Sequence, residues 1–193
     1  MSLGSAGIDD EVDHSSCADP TSNVTKPIVA AVNGPCVGFG LVQVLHFDVR
    51  FAAESAIFVS AFTNRGLNAE YGTSWLLPRI IGHTRATEML LSGRRVDAAE
   101  AERIGLVNWV VPDEELLSRA LDYAGNLATN CSPVAMADTK RQVHADWLID
   151  RVTAEDDAKR IGQAPGHRTD FEEGVRSFVE KRPPTLAPWT NGR

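Results

Sequence analysis

The chain has 193 residues, 43% hydrophobic and 23% charged, with a formal net charge of −7. That length suits one well-filled core rather than two domains, and the acidic balance argues against nucleic acid as a partner. No apolar run reaches the length of a membrane span, no charged-then-apolar leader opens the chain, and Cys17, Cys36 and Cys131 have no metal-ligand spacing. These features predict a cytoplasmic protein with no membrane partner and no metal.

Residues 1–25 are polar, with Asp9, Asp10, Glu11 and Asp13 close together and no helical or strand period, and read as an irregular lead. Organisation begins at Lys26. Ile28 to Val32 is an apolar, β-branched run and predicts a buried strand; Asn33-Gly34-Pro35 predicts a turn. Gly38-Phe39-Gly40 then leads into Leu41 to Phe47, a helix with little polar surface. Strand, glycine turn and helix together present free N–H groups at a positive helix end, suited to an anion or to an oxygen that becomes one during reaction. The same pattern also serves plain tight packing. His46, inside this apolar helix, reads as a satisfied buried side chain rather than a base.

Further on, Asp48 to Ala52 and Ile57 to Val59 read as strands joined by a turn at Ala53-Glu54-Ser55. Helices are expected over Tyr71 to Ile80, interrupted by Pro78, and over Arg85 to Leu91, ending before Gly93. Asp97 and Glu100 have the spacing of a capping box, and Gly105 suits the end of the helix they open. Leu106 to Val111 reads as a strand closed by Pro112. Beyond it Leu116, Leu117, Ala120, Leu121, Ala124 and Leu127 fall at helical spacing and predict one buried face. Pro133 opens a helix to about Trp147; Gln163 to Gly166 reads as a loop, and a short last helix follows Asp170 with Phe171, Val175 and Phe178 on one side. The pattern is α/β, with a lead over 1–25, an α/β core over 26–112 and a helical region over 113–193.

KPIVAAVNGPCVGFG, FDVRFAAESAIF, RGLNAEYGTSWLLPRIIG, LLSGRRVDAAEAERIGLVNWVV and FEEGVRSFVEKRPP follow in order between Lys26 and Pro184. The series resembles the signature of the crotonase superfamily, the enoyl-CoA hydratases and isomerases. The resemblance implies a core of repeated ββα units and an acyl-CoA thioester substrate. It implies no cofactor beyond the coenzyme A that the substrate carries, and assembly into a homotrimer or hexamer. Ser5-Ala6-Gly7-Ile8-Asp9 resembles the segment that supplies the family's first oxyanion donor. By that likeness Ile8 N–H, preceded by Ala6 and Gly7, is one donor and Phe39 N–H, preceded by Gly38, the other. The βα elements that the family carries ahead of this segment are not legible here, so the expectation is a crotonase-like core without its N-terminal elements.

The hydratases of the family use two glutamates, and the matching positions hold Val42 and Phe62, neither of which can transfer a proton. Glu70, at the turn into a helix, resembles the single catalytic glutamate of Δ3,Δ2-enoyl-CoA isomerases. Moving a double bond needs one base and a stabilised dienolate, so one carboxylate and an oxyanion hole suffice. The bland reading of Glu70 is a helix-end carboxylate favoured by the dipole. Phe62 would wall the acyl pocket or belong to the core. Phe178 would lie against the adenine of coenzyme A and Lys181 would meet its phosphates; the bland reading makes Phe178 the buried anchor of the terminal helix. A hydratase with an unusual second group, and a non-catalytic acyl-CoA-binding protein of this fold, remain the alternatives.

Overall fold

Two short sheets carry the apolar runs of the first half of the chain. The computed structural model describes Thr21 and residues 23–189; Ala6, Gly7 and Ile8 lie outside the described residues. Strands β1 (Val29–Val32), β3 (Val49–Ala53) and β6 (Trp109–Val111) form one parallel sheet in the order β1-β3-β6, with Val29 opposite Val49 and Phe51 opposite Trp109. Strands β2 (Pro35–Val37), β4 (Ile57–Val59) and β5 (Val96–Asp97) form the second, β2 and β4 parallel and β5 antiparallel.

The chain turns a corner from one sheet to the other at Gly34 and again at Glu54-Ser55, and Ile57 N–H reaches the Gly34 carbonyl at 3.4 Å, so the corners stack. A helix follows each pair of strands: α1 (Phe39–Leu45) after the first, α2 (Thr73–Ile81) and α3 (His83–Ser92) after the second. This is the expected repeated ββα core. Strand β3 shows how a period of two builds it. Ala52 faces the main core with Leu41, Phe58, Leu77 and Met89, while Phe51 and Ala53 face the other way, onto Leu116 and Ala120 of α5 (Leu116–Asn130).

Several expectations are corrected. Pro35 begins β2 instead of lying in a turn; β2 is an edge strand, where a missing N–H costs no ladder bond. Only Trp109–Val111 of the run from Leu106 pairs as a strand, because the N–H groups of Leu106 and Val107 turn back to the Ala101 carbonyl at 2.8 and 3.3 Å. They close α4 (Ala98–Arg103). Asp97 caps α4 by accepting from Glu100 N–H at 2.8 Å, but Glu100 does not return the bond. Arg94 takes both its carboxylate oxygens at 2.7 and 2.8 Å and also meets Glu88 at 2.8 Å, a bidentate ionic pairing stronger than a neutral cap. On α5, Leu117 and Leu121 are 64% and 61% exposed, because a three-stranded sheet covers only the stripe through Leu116 and Ala120.

The helical region departs furthest. α6 (Pro133–Ala145) is followed by α7 (Arg151–Gly162) and by α8 (Pro165–Glu180), which starts before Asp170 and leaves two residues for the expected loop. Polar contacts seat α8: Asp170 accepts from Ser132, and His167 Nε2 lies 2.7 Å from Asp138. Phe178 is 84% exposed and is not a buried anchor of its helix among the described residues.

Cys36, the middle residue of β2, is buried, and burial pushes its thiol up to about 11. Unfolded, it would ionise near pH 8.5. Between those values the folded chain keeps a proton that the unfolded chain loses, so stability falls as pH rises from about 9 to about 11. Urea midpoints across that range should decline, and Cys36→Ala should flatten the decline.

Candidate active site

Gly38 stands where β2 passes into α1, at φ 55° and ψ −115°, a backbone state that L side chains avoid. Its N–H is held by the Val59 carbonyl at 2.9 Å, and its own carbonyl receives the first helical bond, from Val42 N–H at 3.1 Å. Phe39 is therefore the first helical residue, and its amide has no carbonyl within α1 to reach. That amide belongs to a helix end of positive polarity, as an oxyanion donor requires.

The segment carrying Glu70 is fastened to the same place by an exchange of end groups. Helix α3 ends at Ser92, and beyond the bond from Gly93 N–H to the Met89 carbonyl at 3.1 Å its last carbonyls lack helical donors. Side chains leaving β4 meet this end: Thr63 Oγ1 donates to Leu90 O at 3.2 Å and Asn64 Nδ2 to Ser92 O at 3.4 Å, while Ser60 Oγ adds a second bond to Met89 O at 3.1 Å. Gly93 permits this approach, since a Cβ there would lie 1.7 Å from Asn64 Oδ1. Phe62, buried at 6% exposure, receives the N–H groups of Arg65 and Leu67 on its carbonyl at 2.9 and 3.0 Å. The segment then reaches Glu70, whose carbonyl accepts from Thr73 N–H at 3.0 Å and Thr73 Oγ1 at 2.7 Å. Thr73 is fully buried at the start of α2, so the backbone of Glu70 is tied to a fixed point.

Tyr71 and Gly72 both adopt positive φ, 52° and 72°, a reversal that throws Tyr71 back toward α1. Its ring meets the Phe39 ring edge-on at a centroid distance of 5.3 Å. Thus the structure brings together Gly38, Phe39 and the Glu70 segment, three of the expected features. Val42 and Phe62 are buried and carry no ionisable group. Phe178 and Lys181 stand at the end of α8, which packs on α6 and α7. Sequence reasoning missed Tyr71 and Thr73, although a tyrosine, a glycine and a threonine before an apolar run suggest a reversal closed by a cap. Among the described residues no group of histidine, cysteine, aspartate or glutamate could hold a metal, and no helix is long and apolar enough to cross a membrane.

Comparisons with known proteins identify the family. A model of the enoyl-CoA hydratase/isomerase family matches residues 14–190. The chain is 43% identical over 164 residues to the probable enoyl-CoA hydratase EchA12 of Mycobacterium tuberculosis, covering 83% of this chain and 57% of that protein. It is 35% identical over 166 residues to the 1,2-epoxyphenylacetyl-CoA isomerase of Escherichia coli, with 84% and 62% covered. The crystal structure of an enoyl-CoA hydratase from Bacillus anthracis superposes with a TM-score of 0.80 at 35% identity, over 84% of this chain and 62% of that one. The chain thus spans little more than half the length of these relatives.

Gly38 tests the site without touching Glu70. A Cβ at Gly38 has room, its nearest neighbour being Ser60 O at 4.0 Å, so Gly38→Ala is penalised by conformation alone. The expected loss is about 1–3 kcal/mol of stability, or roughly 3–10 °C in Tm. Calorimetry measures it; an unchanged Tm would mean that the turn has relaxed.

Proposed function

The chain belongs to the enoyl-CoA hydratase/isomerase family, and on that premise we propose that it is an enzyme that shifts the double bond of an enoyl-CoA thioester, with Glu70 as its acid and base. One observation carries the reading: a carboxylate-bearing segment is fastened beside the open amide end of α1, while Val42 and Phe62, at the positions that the family resemblance assigns to the hydratase glutamates, are buried and apolar. In the proposed cycle Glu70 takes a proton from C2 of the 3-enoyl thioester. Electrons move into the thioester carbonyl, and the dienolate oxygen accepts from Phe39 N–H, with Ile8 N–H as the second donor expected from the sequence. Glu70 then returns the proton at C4 and the double bond settles between C2 and C3. The process balances with no second acid, and preorganised donors act where charge develops.

Phe178 and Lys181 are proposed for the nucleotide end of coenzyme A. The support is chemical: an exposed aromatic ring can stack on a base, and three residues later an ammonium can meet a phosphate as a point charge. The exposed apolar stripe of α8, which includes Phe171 and Val175, supports a homotrimer or hexamer in which a neighbouring chain borders that site. Hydration of a 2-enoyl thioester is the second reading, favoured by the names of EchA12 and of the Bacillus anthracis protein. It would require another group beside Glu70.

Glu70→Gln keeps the shape of the side chain and removes its basicity, so isomerisation of 3-enoyl-CoA should fall by about 10²-fold or more while the circular dichroism spectrum stays unchanged. Retained isomerisation would dismiss Glu70. A wild type that hydrates 2-enoyl-CoA and never isomerises would favour the second reading. Separately, Lys181→Ala should weaken coenzyme A binding and lessen its dependence on salt, as read by titration at two ionic strengths.

A further inference from the structure

A cavity of about 530 Å³ lies between the β1-β3-β6 sheet and α6, and neither Phe39 nor Glu70 lines it. Its volume falls in the range of small-molecule sites. Most of its wall is apolar, with Leu45, Val49, Met136 and Trp147 among the lining residues. Three basic side chains, Arg50, Lys140 and His144, also line it, against one carboxylate, Asp48.

Asp48 is already engaged. Its Oδ2 accepts from Lys140 Nζ and from Ile28 N–H, each at 2.7 Å, and its Oδ1 lies 3.8 Å from His144 Nε2. Arg50 donates from Nε to the Leu106 carbonyl and from Nη1 to the Phe47 carbonyl, both at 2.7 Å. No described residue forms an ion pair with it, and no described group accepts from its Nη2. Its surroundings disfavour the charge: burial pulls the guanidinium pKa down, and the field of Asp48 opposes that pull. A partly buried arginine whose unused donors are open to solvent, in an apolar cavity where cations outnumber carboxylates, is an arrangement that favours an entering anion.

We propose that this cavity is a ligand site separate from the Glu70 site, and that it takes a small amphiphilic monocarboxylate. The carboxylate would accept from Arg50 Nη2, and the alkyl tail would lie along Leu45, Met136 and Trp147. A neutral or cationic ligand would leave Arg50 uncompensated, and a polyanion would meet Asp48 and the apolar wall. The inference does not rest on the reading of Glu70.

Octanoate is the probe, titrated into the full chain by calorimetry. Saturable binding is expected, with 1-octanol, which lacks the charge, at least tenfold weaker. Hexanoate should bind about fifteenfold more weakly, since each buried methylene is worth about fourfold. Arg50→Gln removes the cation but also two backbone ties, so Ala135→Phe, which places a ring in the cavity and leaves the charges intact, is the companion variant. Each should weaken octanoate at least tenfold; if the Arg50 variant does not fold, Ala135→Phe and the chain-length series decide. Absence of octanoate binding, equal binding of octanol, or full binding by Ala135→Phe overturns the proposal. Displacement of octanoate by octanoyl-CoA, with both lost in Ala135→Phe, also overturns it, because the cavity would then be the thioester site.

Discussion

Everything at the candidate site depends on how the unsatisfied carbonyls of α3 are met. A helix end must find donors or pay in desolvation, and here Thr63 and Asn64, side chains of the segment that leaves β4, supply them to Leu90 and Ser92, while Ser60 adds a second bond to Met89 beside that of Gly93 N–H. The bonds cap α3 and at the same time prevent residues 60–66 from swinging away. Because Ser60 and Thr73 are both fully buried, the segment between them is held at each end, and Glu70 stands near its fixed C-terminal end.

Between those anchors the backbone takes unusual states. Ala61 and Tyr71 have φ of 59° and 52°, and neither is glycine. Left-handed conformations at such residues cost on the order of 1 kcal/mol each, and they persist where surrounding bonds over-determine them. At Tyr71 the compensation is visible: the two hydrogen bonds from Thr73 to the Glu70 carbonyl on one side, and the edge-on ring contact with Phe39 on the other. Two loops from different ββα units are thereby coupled through aromatic packing, and the open end of α1 keeps a carboxylate-bearing neighbour.

A separate junction joins the helical region to the sheet. Lys140 on α6 donates both to Asp48 at 2.7 Å and to the Lys26 carbonyl at 3.1 Å, with little exposure on either side chain of the pair. Asp48 in turn holds Ile28 N–H just before β1. One ion pair thus clamps the start of the parallel sheet under α6, and removing either partner would leave a half-buried charge unmatched. By contrast the pairs along α7, such as Lys159 with Asp156 and Arg160 with Asp157, are exposed and contribute little.

The sequence by itself determined the repeating strands and helices and the family. Apolar periodicity is a property of the chain: Ile28 to Val32, Ile57 to Val59 and the stripe through Leu116 and Ala120 must find a core in any compact arrangement. It also marked Gly38 and Glu70, because backbone freedom and basicity belong to residue types. Tertiary structure alone decided the rest. The range of Pro35 depended on which strand edge was free, and the partner of Glu100 on the distance of Arg94. Whether Leu117 and Leu121 are covered depended on how far a three-stranded sheet extends, and whether Phe178 is covered depended on how α8 seats on α6 and α7. The pairing of Phe39 with Tyr71, and of Arg50 with a cavity that α6 walls, joins segments far apart in the chain, and no local pattern encodes which side chains will meet across such separations.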